Sequence, residues 1–153
     1  MTIPRIGVLF LANVLAFVWP AVLTAQNSGP EASALYIIFL HRVASSSGAR
    51  AGRGDRAGEL HVAPAELQAV EDAARVFVAQ EEQLRQEALR YGSRRKLAGE
   101  SPDPAVVHSF AVRRASLASS AMAVIQAKIS PSSFAGLSQF IDLQVRGAVG
   151  AWR

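Results

Sequence analysis

Residues 64–91 read PAELQAVEDAARVFVAQEEQLRQEALRY, and this stretch decides the fold class. Leu67, Val70, Ala74, Phe77, Leu84, Ala88 and Tyr91 recur at spacings of three and four, the period of an amphipathic helix. Pro64 suits a first helical position and Glu66 the acid-favouring first turn, so a helix is predicted from Pro64 to about Tyr91. Glu81 occupies the one place in the stripe where an apolar side chain is missing. Glu71 with Arg75, and Glu81 with Arg85, stand four apart with the acid first, a pairing that supports an exposed helical face.

The same reading extends outward in both directions. Gly92 is a stop signal, and Arg94-Arg95-Lys96 opens a polar connection to Ser101. Asp103 followed by Pro104 is a cap-then-proline start for a helix to about Ile129, with Val107, Phe110, Leu117, Ala121, Val124 and Ile125 as its apolar positions. The intervening alanines and serines allow a neighbouring helix to approach closely. Ser130-Pro131 repeats the start signal, and Phe134, Leu137, Ile141 and Val145 mark one face of a last helix. Upstream, Leu35 to Val43 is densely apolar; a helix starting after Pro30 is favoured, with a strand over 35–40 as the alternative. Residues 45–60, SSSGARAGRGDRAGEL, carry too little apolar surface to offset the entropy of ordering and are expected to form a flexible loop. The prediction is an all-α, small antiparallel bundle of three to four helices following a cleaved N-terminal signal peptide.

That leader is read from residues 1–25. Arg5 precedes an apolar run from Ile6 to Val18, Trp19-Pro20 breaks it, and Thr24-Ala25 precedes a plausible cut. An uncleaved N-terminal anchor is the alternative, because Ile6 to Ala25 contains no charge and approaches the length of a membrane span. The remainder, residues 26–153, is one domain's worth of chain. Its expected location is periplasmic or extracellular. The sequence has no cysteine, which removes thiol chemistry, thiolate metal sites and disulfides from consideration. Loss of Arg5 with the leader lowers the formal net charge from +4 to +3, too small an excess for a dedicated nucleic-acid binder.

Catalytic motifs are missing from the sequence. The three histidines, His41, His61 and His108, stand in separate segments without metal-ligand spacing, and no phosphate-binding glycine loop or serine-nucleophile motif occurs. Neither a cofactor nor a metal is therefore expected. Glu81, His41 and His108 are the polar candidates for a site built by tertiary convergence. Arg94, Arg95 and Lys96 are candidates for contact with an anionic membrane surface, and Arg113 and Arg114 for the same patch or for pairing with the acidic helix.

The leader, the segment from Leu35 to Val43, the alanine-rich helix from Pro64 to Tyr91 and SPSSFAGLSQFIDLQV at 130–145 resemble small exported helical proteins of bacteria. That resemblance implies an exported helical fold and brings no activity with it. Periplasmic stress-sensing helical hairpins share the style but carry a repeated Leu-Thr-x-x-Gln signature that this chain lacks. The expected function is therefore non-enzymatic: binding another protein or self-association. A ligand-binding or enzymatic bundle with a site of scattered polar residues is the alternative.

Overall fold

A computed structural model describes residues 30–46, 53–145 and 147. The described residues are all-α, without a strand: α1 (Pro30–Ser46), α2 (Arg53–Glu59), α3 (Leu67–Leu97), α4 (Pro104–Lys128) and α5 (Pro131–Phe140), the last continued by a π-helical turn over Ile141–Val145. Five helices replace the three to four expected. The proposed leader, residues 1–25, lies outside the described residues, and nothing in the structure supports a cleaved signal peptide.

The additional helix is α2, inside the stretch read as a loop. Tertiary contacts order it where local composition does not: Ala57, Leu60 and Val62 are buried in the core. Its end is locked by a paired backbone cap, in which Val62 N–H donates to the Ala57 carbonyl at 3.0 Å and His61 N–H to the Gly58 carbonyl at 3.2 Å. His61 takes the left-handed conformation this cap requires, with φ of 54°. Gly136 of α5 packs directly on His61, where an added Cβ would stand 2.9 Å from both the His61 Cβ and its carbonyl oxygen.

The expected cap-then-proline signals do start helices. Asp103 accepts from Ala105 N–H at the head of α4, and Ser130 accepts from Ser133 N–H at the head of α5. The long helix differs at both ends. Pro64 lies in the preceding turn, and α3 passes through Gly92 to Leu97. One interior glycine costs about 1 kcal/mol, which a long packed helix absorbs. Termination comes instead at Gly99, with φ of 72°, where Glu100 N–H donates to the Arg95 carbonyl and Gly99 N–H to the Lys96 carbonyl.

Helices α3 and α4 form an antiparallel hairpin on which α1 packs. Phe39, Leu40, Val43, Leu67, Val70, Phe77, Ile125 and Leu137 are its fully buried large side chains, contributed by α1, α3, α4 and α5. Ala118 and Ala121 are buried between them, as expected of small residues at a close helix contact. On α3 the predicted stripe is buried through Leu84, and Ala88 and Tyr91 beyond it are half-buried. On α4 burial begins at Ala118. Residues 85–97 and 104–117 thus extend past the core as a two-helix arm about 20 Å long at 1.5 Å per residue.

Candidate functional site

The cleft nearest to a functional site lies at the base of that arm. Its floor is Val78, Leu84 and Ala88 of α3 with Phe110 and Ala111 of α4, and its volume is about 470 Å³. His41 of α1, Glu81, Arg85 and Arg114 stand around it. Helical spacing continues the lining of the cleft outward: Leu89 is four residues past Arg85 of its polar wall, and Val107 is four before Ala111 of its floor. Both are about half exposed, at 53% and 51%. A second hollow of about 380 Å³, lined in part by Leu84, Glu87, Arg113 and Leu117, opens beside the same two helices.

Glu81 is the centre of the polar wall, its side chain only 12% exposed. The His41 Nε2 lies 2.5 Å from one carboxylate oxygen, and the Arg114 guanidinium pairs with the other. The His41 ring also meets the Phe77 ring edge-on at 5.8 Å between centroids. The sequence expectation for this carboxylate is corrected: Glu81 pairs across to α1 and α4 rather than along α3 to Arg85. Arg85 instead grips Glu82 through two bonds of 2.8 Å, and Gln86 donates to the same carboxylate at 2.7 Å. The Arg85 and Gln86 hydrogen bonds hold the Glu82 carboxyl down at about 2.

Of the three polar candidates, His41 and Glu81 meet, while His108 is exposed near the start of α4. Arg113 and Arg114 both turn to the acidic helix, Arg113 through a two-bond pair with Glu87 at 2.9 and 2.8 Å. That contact lowers the Glu87 carboxyl, through the Arg113 hydrogen bond. Arg94, Arg95 and Lys96 are in the last turn of α3, at the far end of the arm from His41. Their separation from the cleft makes two distinct places of interest.

Arg114 as the second partner of Glu81, and Ala88, Phe110 and Ala111 as cleft floor, were not singled out as a site by sequence reasoning. The only available signal was the pairing option for Arg114 with the acidic helix. Among the described residues no group of three or more His, Asp or Glu is placed to hold a metal ion. None of their helices is long and apolar enough to cross a membrane. Comparison of the chain with protein-family models, with curated proteins and with solved structures yields no match.

Proposed function

We propose that this is a non-enzymatic helical protein that binds an apolar segment of another polypeptide along the cleft and the outward face of the α3–α4 arm. The carrying observation is that α3 and α4 continue past the core, leaving Leu89 and Val107 exposed one helical turn beyond residues that line the cleft. A bound helix laid there would occupy the layer that α1 occupies lower down. Each Glu81 oxygen is held by a partner from another helix, His41 of α1 and Arg114 of α4, which fixes the wall of the cleft where the three helices meet. A periplasmic or extracellular location belongs to the same proposal, and cell fractionation tests it.

A photo-crosslinking residue at Ala111, on the cleft floor, should capture a polypeptide in expressing cells. The same residue at exposed Ala123 of α4, away from the cleft, should not. Leu89→Arg should abolish the Ala111 adduct without unfolding the protein. Light scattering across a concentration series separates partners, since a dimer lost in Leu89→Arg would make the bound segment that of a second copy. No adduct at Ala111, or an equal one at Ala123, would overturn the reading.

The convergence of His41, Glu81 and Arg114 favours a second reading, a small ligand in the cleft, whose volume falls in the range of small-molecule pockets. Thermal stabilisation by a small-molecule library, lost in Phe110→Asp, would support it over a polypeptide partner.

A further inference from the structure

The turn at the tip of the arm is tied down in its backbone and open in its side chains. Glu100 N–H bonds to the Arg95 carbonyl at 2.9 Å and Gly99 N–H to the Lys96 carbonyl at 3.1 Å. The Arg95 guanidinium donates twice to the Ser101 carbonyl, at 3.1 and 2.9 Å, and pairs with Glu100. Asp103 N–H donates to the Tyr91 hydroxyl at 2.9 Å. Yet Leu97 stands at the apex 88% exposed.

One exposed leucine is ordinary. Its surroundings are less so. Arg90, Arg94 and Leu97 recur at spacings of four and three and share a helix face, and Lys96 stands round the last turn on the other side of Leu97. Arg42, Arg56, Arg75, Arg85, Arg95, Arg113 and Arg114 each pair with a carboxylate. Among the described residues Arg90, Arg94, Lys96 and, alone at the end of α4, Lys128 have no such partner. Cations in a last turn complement the negative end of the helix dipole, but Arg90 lies too far back for that account. The two acids of the tip are occupied, Glu100 by Arg95 and Asp103 by capping Ala105 N–H at 2.8 Å.

The geometry points to an anionic phospholipid surface as the partner of this tip, with Arg90, Arg94 and Lys96 at the headgroups and Leu97 inserted at their level. Polybasic segments gain attraction from each cation near such a surface, and an apolar side chain among them adds burial. A convex turn with a leucine at its apex fits a deformable plane better than it fits a polyanion, which needs a charged groove to track. The tip is separate from the cleft, so this inference does not rest on the binding role proposed for that site.

The chain has no cysteine, so Ala98→Cys gives a single labelling position beside Leu97. The full chain carrying an environment-sensitive dye there is titrated with vesicles of mixed phosphatidylglycerol and phosphatidylcholine, and with phosphatidylcholine alone. Emission should shift to the blue only with the anionic vesicles, and the shift should reverse at high salt. R94Q/K96Q should lower the apparent partition coefficient about thirtyfold, and Leu97→Ser should weaken it while leaving its salt dependence intact. These side chains are exposed, so the variants should keep the wild-type circular dichroism. Three results would overturn the inference: no shift with anionic vesicles at low salt, a shift unchanged in R94Q/K96Q, or an equal shift with heparin, which would make the tip a polyanion site.

Discussion

Arg56 and Glu71 form the most enclosed ion pair among the described residues, with side chains 11% and 9% exposed and 2.8 Å between charged atoms. Arg56 also donates to the Ser46 hydroxyl at 3.2 Å, joining α1, α2 and α3 at one point. The sequence suggested Glu71 with Arg75, four residues on; Arg75 pairs instead with exposed Asp72. Glu71 lies on the covered side of α3, and α2 supplies the cation that faces it. Removing one partner of a buried pair strands the other charge, whereas replacing both with apolar groups of similar size removes the desolvation penalty as well. Glu71→Ala should therefore cost about 3 kcal/mol in urea unfolding, with Arg56→Met/Glu71→Leu close to wild type or above it. If the single substitution costs under about 1 kcal/mol, the pair behaves as a surface pair and does not hold α2 in place.

At the scale of elements, the start of α3 is stitched to the α4–α5 junction. Glu66 accepts from Ser130 N–H at 2.7 Å, and the Ser133 hydroxyl accepts from Ala63 N–H at 3.3 Å. The Ser133 hydroxyl, followed by the Ser130 amide, holds the Glu66 carboxyl below its ordinary 4.5. A carboxyl lowered by folding stabilises the fold above its unfolded value, and that contribution disappears as pH falls through the folded one. Glu66→Gln should therefore melt below wild type at neutral pH, with the gap narrowing as pH drops beneath 4.5. A gap that widened on acidification would disprove the stitch. Asp72, Glu82 and Glu87 are lowered as well, so acid weakens the wild type in the same direction. The starts of α4 and α5 were legible in the sequence because Asp103 and Ser130 act on amides two and three residues away. Gly92 misled because helix length outweighs one glycine, and α2 was missed because its order comes from distant residues. Glu81 was visible as a break in a stripe. Its partners were not, since neither His41 nor Arg114 is near it in sequence.

For the molecule as a whole, the arm and the body rest on different physics. The body buries phenylalanine, leucine, isoleucine and valine side chains from several helices in one core. Beyond Leu84 and Ala118 the two helices hold each other by local contacts: Glu87 with Arg113, Tyr91 against Phe110 at 6.1 Å between centroids, and Arg113 over the Phe110 ring at 5.8 Å. Exposed ion pairs and partly open ring contacts add little stability, and of the described residues of the arm only Leu117, at its base, packs against the core cluster. Replacing residues 89–109 by a short glycine-serine turn should leave one cooperative unfolding transition with nearly the original midpoint. Its urea dependence should fall modestly, because less surface is exposed on unfolding. The same deletion removes Leu89, Val107 and the whole cationic tip, so crosslinking from Ala111 should be lost and the salt-sensitive attraction to anionic vesicles should vanish. A shortened protein that failed to fold would place the arm within the cooperative core. A folded one that kept its vesicle binding would move that activity to another surface of the chain.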